Sequence, residues 1–398
     1  MKKIILSVVA LAMAATNFAQ DTITNKKGSE YVFTELKNLD ETPVQNQNRT
    51  GTCWSFSALS FIESELIRKG KGEHDLSEMF IVRNAYIGKA ENYLRYYGTF
   101  NFGPGGAFHD IPWVIRRYGI VPESAYKGLN YGSETHNHSE LNSALKGMVD
   151  AFVKNPQKKL TPSWIKAVEG VVDAYLGEVP EKFTYQGKEF TPLSFAKHIG
   201  LDMDNYISLT SFTHHPQYSS FVIEVPDNWA MQSSYNVSLE ELTDVALSSL
   251  KDGYSWAWGS DVSEKGFSFK NGLAIVPAND SLIAVKGKDN KHFNDAGADK
   301  KGNAFDSPME EKVINAKMRQ EGYDNYSTTD DHGMHVTGTV KDQNDTKYFI
   351  VKNSWGTKYN DCDGYFYCSI PFFQYKSINI FMHKDALSKG LKNKLGID

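Results

Sequence analysis

Apolar residues recur at helical spacing through the front of this chain and at strand spacing through its end, and that order limits the folds open to it. From Trp54 the run WSFSALSFIESELIRKG sets Phe56, Leu59, Phe61, Ile62, Leu66 and Ile67 at helical intervals and stops at Gly70. Asp75 and Glu78 have capping-box spacing and open a second helix. AFHDIPWVIRRYG makes a third that ends at Gly119, and 141–153, 162–176 and 239–250 read as amphipathic helices. From Tyr254 onward YSWAWGSDV, GLAIV, SLIAV, MHVTGTV, KYFIVKNSW and GYFYCSI read as strands. Helices first and strands last argue for an α+β fold with a largely antiparallel sheet or barrel. The expected division is 1–20 as a removable leader, 21–125 as the helical part, 126–253 as a mostly helical insertion, 254–383 as the β part and 384–398 as a tail.

Lys2 and Lys3 precede the apolar run IILSVVALAMAA, and Phe18-Ala19-Gln20 leads into polar sequence. This is the pattern of a secretory signal peptide, cut after Ala19 or Gln20, and predicts a periplasmic or extracellular protein. No other run approaches transmembrane length, so no membrane anchor is expected. A net charge of −5 over 398 residues supplies no basic footprint for nucleic acid. Three cysteines are no disulfide framework. Cys362 and Cys368 could pair if their geometry allows it, and Cys53 is left unpaired either way.

An unpaired Cys in an exported chain points to reactivity. Cys53 begins the first helix, where unpaired N–H groups and the helix dipole favour a thiolate. Gln47, six residues earlier, can aim its amide at the oxygen that becomes negative during acyl transfer. A thiol nucleophile also needs a base, and DDHGMH offers His332 and His335 at the start of a strand. The base needs an orienting group, which Asn353, followed by Trp355, can supply by accepting a ring N–H. Gly105 and Gly106 lie in a permissive GPGG loop. His136/His138 and His214/His215 lack the Cys or Glu pattern of a known metal site and read as surface or hydrogen-bonded residues. No metal and no cofactor is expected.

Together these segments resemble the papain-like cysteine peptidases, and within them the bleomycin hydrolase/aminopeptidase C branch. The resemblance lies in QNRTGTCWSFSA, LSEMF, GPGGAFHDIPWVIRRYGIVPESAY, DHGM and YFIVKNSWGTKYNDCDGYFY, and more loosely in HNHSELNSALKGMVDAF, SFTHHPQYSSFVIEVPDNW and AWGSDVSEKGF. It implies a helical left domain plus an antiparallel β-barrel-like right domain, with a helical insertion. It also implies Cys53 as nucleophile, His332 as base and acid, Asn353 as its orienter and Gln47 as oxyanion donor. Trp355 would shield the His–Asn pair, Gly105 and Gly106 would offer backbone to an extended peptide, and Asp261 would be structural support. In this branch the chain's own tail occupies the cleft of a homo-hexamer and its terminal carboxylate, here Asp398, meets the substrate's free amine. The expected partners are therefore peptide substrates and further copies of the chain. Members are usually cytosolic and somewhat longer, whereas this chain carries the export pattern. A papain-like endopeptidase and an idle binding protein on the same fold are the alternatives. The short stretch 21–46 ahead of Gln47 and the lack of cysteines around both loops favour the aminopeptidase branch over the endopeptidases.

Overall fold

In the computed structural model, which describes residues 23–286 and 299–397, helix α1 (Cys53–Arg68) has twelve of its sixteen residues buried. A helix covered almost all round needs packing partners on opposite sides. On one side lie α2 (Glu78–Arg95) and α3 (Asp110–Tyr118), and on the other the start of a long strand, β12 (His332–Lys341). The leader, residues 1–20, lies outside the described residues, as does Asp398.

An eleven-stranded sheet forms the second half. Its order is β5 (Ser220–Val222), β6 (Ser233–Asn236), β4 (Tyr206–Thr210), β15 (Ser377–His383), β7 (Trp256–Ser260), β12, β13 (Lys347–Lys352), β14 (Tyr365–Ser369), β9 (Leu273–Ala274) and β8 (Phe267–Ser268), with β1 (Thr34–Asn38) also paired to β12. Two small hairpins stand apart, β2 (Phe183–Tyr185) with β3 (Lys188–Phe190) and β10 (Ala284–Lys286) with β11 (Asp299–Lys301). The fold is α+β as expected, but the sheet is open and mixed: β4 with β6 and β9 with β14 run parallel, and no barrel closes. β12 is buried on both faces, because α1 covers one and the sheet's own aromatic core the other.

Residues 126–253 contribute to both halves. Helices α4 (Ser139–Val153), α5 (Ser163–Leu176) and α6 (Pro192–His198) add Leu145, Val172 and Phe195 to the core around α1–α3. β4–β6 extend the sheet, and α7 (Leu239–Lys251) packs on it through Leu242 and Leu250. α7 opens with a capping box between Ser238 and Glu241. The box expected at Asp75 is not formed; Ser77 caps α2 by accepting the Phe80 N–H.

Helices α8 (Ala316–Asp324), α9 (Ile370–Lys376) and α10 (Lys389–Leu395) complete the fold. α10 and Ile397 pack against the sheet core, and Lys394 pairs with Glu241 of α7 at 2.7 Å. Cys362 and Cys368 are separate thiols. Cys368 points into the sheet core, while the Cys362 Sγ lies 2.9 Å from the Asn25 carbonyl. Among the described residues no helix is long and apolar enough to cross a membrane.

Candidate active site

Cys53 is the first residue of α1, after Thr52, whose side chain forms no cap. Its thiol shares one cleft with His332, Gly105 and Gly106. His332 opens β12, paired with Ser260 of β7. The strand can approach α1 because the next residue is Gly333. A Cβ there would stand 2.8 Å from Ser57 Oγ, 3.0 Å from Phe108 Cε1 and 3.2 Å from Trp54 Cα. The motif DHGM thus supplies a glycine as well as a histidine, and reading it only for the histidine misses the close approach.

The His332 ring is fixed on two sides. Its Nε2–H donates to Asn353 Oδ1 at 2.7 Å, and the ring stacks on Trp355 with centroids 4.6 Å apart. With Nε2 engaged, Nδ1 is the nitrogen that can exchange a proton with the thiol. Asn353 Oδ1 also accepts the Ser354 N–H at 2.8 Å, which fixes which end of the amide faces the histidine. Phe267 and Phe269 meet Trp355 edge-on, so the stack is walled from water.

Gln47 is held by Ser354, which sequence reasoning passed over. Its backbone N–H donates to the Ser354 carbonyl at 2.9 Å, and its Oε1 accepts the Ser354 hydroxyl at 2.7 Å. With the side-chain oxygen occupied, the amide NH₂ is the end that remains for a developing oxyanion. The only sequence signal for Ser354 is its place between Asn353 and Trp355.

Burial pushes the Cys53 thiol up to about 12; a hydrogen bond with the Gly333 backbone works in the opposite direction, and Asp330 and Asp227 push it further up. The thiolate expected from the helix N-terminus is therefore outweighed by desolvation and by two carboxylates. Ionisation is eased where a neighbouring base can take the proton, and the His332 imidazole lines the same cleft. His335 is elsewhere. It faces α1 one turn on, with Nδ1 3.0 Å from Ser60 Oγ.

The Gly105–Gly106 backbone is held by Trp54 and Lys89. Trp54 Nε1 donates to the Pro104 carbonyl at 3.0 Å, and the buried Lys89 ammonium donates to Gly103, Pro104 and Gly105 carbonyls. A Cβ at Gly105 would fall 1.9 Å from the Asp227 carboxylate, and one at Gly106 2.6 Å from Asp110 Oδ2 and 2.8 Å from Trp54. Neither glycine tolerates a side chain. Asp227, Asp330 and Asp331 line the cleft beside them, and among the described residues no Lys or Arg does. None of residues 384–397 lines it either. Asp261 accepts the Ser263 and Thr329 N–H groups, each at 2.8 Å, tying β7 to the segment that enters β12. Burial, then the neighbouring Asp331, push its carboxyl up to about 8.

Of the remaining histidines singled out in the sequence, His214 and His215 are partly exposed and hydrogen-bonded, as read, whereas His138 is fully buried. His136 is partly buried, the rings of His136 and His138 meet edge-on, and burial depresses both. His214 and His215 converge on Glu224, a partner that sequence spacing did not offer.

This geometry can be set beside known proteins. The pattern of the Peptidase C1-like family matches residues 81–291, more than half of the chain. The chain belongs to the Peptidase C1-like family. The papain family cysteine protease pattern matches residues 309–376, the segment with His332 and Asn353, and the protein is a cysteine-type peptidase. Aminopeptidase G of Lactobacillus delbrueckii subsp. lactis is 23% identical over 96% of this chain and 90% of that relative. Aminopeptidase C of Listeria monocytogenes is 22% identical over 94% and 87%. The crystal structure of PepW from Lactobacillus rhamnosis superimposes with a TM-score of 0.68 at 21% identity, covering 91% of this chain and 84% of that one. The papain-like resemblance and the α+β fold are thereby borne out for this Peptidase C1-like chain.

Proposed function

We propose that this peptidase is a cysteine aminopeptidase that releases N-terminal residues through a thioester. His332 Nδ1 takes the Cys53 proton, and the thiolate attacks the scissile carbonyl. The oxygen that becomes negative is met by the Gln47 amide and the Cys53 backbone N–H at the helix start. His332 returns the proton to the leaving amine, which departs as the thioester forms. Water then adds to the thioester, giving its proton to His332, and the thiol leaves with the free N-terminal amino acid as the other product. Asn353 keeps the imidazole in the tautomer this requires.

One observation supports exopeptidase action: among the described residues the cleft holding Cys53 is lined by Asp227, Asp330 and Asp331 and by no Lys or Arg. An ammonium about 4 Å from a carboxylate gains about 4 kcal/mol at an effective dielectric of about 20. Desolvation cancels part of this, and a residual of about 2.7 kcal/mol equals roughly 100-fold in kcat/KM. The names of the aminopeptidase relatives agree with the reading. Asp398, expected as the amine anchor, lies outside the described residues; among the described residues Asp227 lines the cleft and sits against Gly105, and the amine is assigned to its carboxylate.

The test is a pair of fluorogenic substrates with one residue type, one with a free α-amine and one N-acetylated. Turnover of the free-amine substrate alone, stopped by a thiol-alkylating inhibitor, is expected. Asp227→Asn should lower kcat/KM for it by roughly 10–100-fold, and Cys53→Ala should abolish turnover with thermal unfolding nearly unchanged. Equal turnover of the blocked substrate would establish the endopeptidase instead. Export by residues 1–20 and assembly into a homo-oligomer complete the proposal. N-terminal sequencing of the exported form and sedimentation test them; an intact Met1 or a monomer at micromolar concentration would refute the respective point.

A further inference from the structure

His214 and His215 stand in the loop between β4 and β5, and Glu224 follows β5. One donor atom from each of the three lies within 4.8 Å of the others. His214 Nε2 is 3.2 Å from Glu224 Oε2, and His215 Nε2 is 2.9 Å from Oε1. In a tetrahedral site with metal–donor bonds of about 2.0–2.1 Å, neighbouring donors stand about 3.3 Å apart. Each imidazole is thus already near that spacing from one Glu224 oxygen, and rotation of the rings and the carboxylate would bring one donor from each residue, now within 4.8 Å of the others, onto a common cation.

The rings are also held in place. His215 stacks on Phe221 with centroids 4.1 Å apart, and His214 lies parallel to Tyr323 at 5.5 Å. The Gln320 amide lies against His214 Nδ1, its oxygen at 3.3 Å and its nitrogen at 3.0 Å. That amide can donate to Nδ1 while Nε2–H bonds Glu224, or accept from Nδ1–H once Nε2 turns its lone pair to a metal. A partner of this kind on the outer nitrogen is what fixes a metal-binding histidine. Among the described residues no Lys or Arg forms an ion pair with Glu224.

We infer that His214, His215 and Glu224 bind one divalent transition cation of the zinc class, with the remaining coordination position open to solvent. Two imidazoles and a carboxylate suit zinc and its neighbours, whereas calcium and magnesium favour all-oxygen sets. Partial exposure of all three side chains leaves room for a water as the fourth ligand. The site sits on the wall of the substrate cleft. Glu224 and Asp227 line one cavity of about 710 Å³ that continues the cleft past Gly105. The turn between them is closed by Val225 N–H to the Ile223 carbonyl and Asn228 N–H to the Val225 carbonyl. A bound cation would pin this turn to the loop after β4.

The probe is Co²⁺ added to the purified full chain after its accessible thiols have been alkylated, followed by visible ligand-field absorption and metal analysis. One equivalent should bind without a thiolate charge-transfer band, and Zn²⁺ should displace it and raise the unfolding temperature. His215→Ala and the near-isosteric Glu224→Gln should each weaken Co²⁺ binding about 10-fold or more. Near-ultraviolet circular dichroism checks that each variant is folded. Absence of stoichiometric binding by the native chain would overturn the inference. So would undiminished binding by Glu224→Gln together with the His214→Ala/His215→Ala double variant. Neither result bears on peptide cleavage, which is scored separately.

Discussion

At the scale of single residues, the reactive thiol is a product of its partner. Burial and the carboxylates of Asp227 and Asp330 hold Cys53 protonated, with its own ionisation pushed up to about 12. A raised thiol ionisation means the neutral form persists below that pH, so under the proposed mechanism reactivity at neutral pH comes from transfer to His332. The rate of Cys53 alkylation by iodoacetamide in the wild type should therefore be appreciable near pH 7. In His332→Ala it should be small there and keep rising towards the highest pH tested. Equal neutral-pH rates in the two proteins would show that the helix N-terminus alone ionises the thiol. The sequence pointed to Cys53, His332, Asn353 and Gln47 because each proposed role restricts the residue type, and the fold sets His332 and Cys53 in one cleft, Asn353 on the His332 ring and Gln47 on Ser354. Ser354 and Asp227 were not legible, since a serine that holds an amide and a carboxylate that lines a wall leave no pattern in one sequence.

At the scale of elements, the decisive contact is the entry of β12 against the start of α1, with Gly333 between Ser57, Phe108 and Trp54. Gly333→Ala places a methyl group where three neighbours already stand, and overpacking of this kind costs about 1–3 kcal/mol. It should also move His332 away from Cys53 and lower kcat by roughly 100-fold, given how steeply rate falls with misplacement. A variant with wild-type kcat and unfolding temperature would refute that account. Helix positions were readable from apolar spacing: 141–153 against Ser139–Val153, and 239–250 against Leu239–Lys251. The place of β5 beside β6 depends on pairing that only the fold reveals. For the same reason Glu224 and the two histidines looked unrelated.

At the scale of the molecule, the two halves meet over a buried polar network behind the site. Glu63 of α1 accepts from the Thr42 hydroxyl at 2.6 Å and the Leu76 N–H at 2.7 Å, with Lys352, the residue before Asn353, beside it. Burial pushes the Glu63 carboxyl up to about 7, against the hydrogen bonds of Leu76 and Thr42 and the charge of Lys352. The folded state therefore keeps a proton that the unfolded chain releases near pH 4.3. That contribution to stability is complete below about pH 4 and is lost as the pH rises through about 7. Glu63→Gln cannot titrate, so the stability of the wild type relative to this variant should fall between pH 5 and pH 8 in urea unfolding. A gap that is constant or widens with pH would contradict the assignment.

The bond between Gln47 and Ser354 also has a meaning in time. Its partners are 307 positions apart, which at 5–20 residues per second is roughly 15–60 s of synthesis. Until β12 and β13 emerge from the ribosome, a growing chain carries a thiol with no imidazole to ionise it and an amide with nothing to aim it. Under the proposed mechanism the order in which the halves are made acts as a clock, and activity is complete only after the segments nearest to the thiol have had that time to fold.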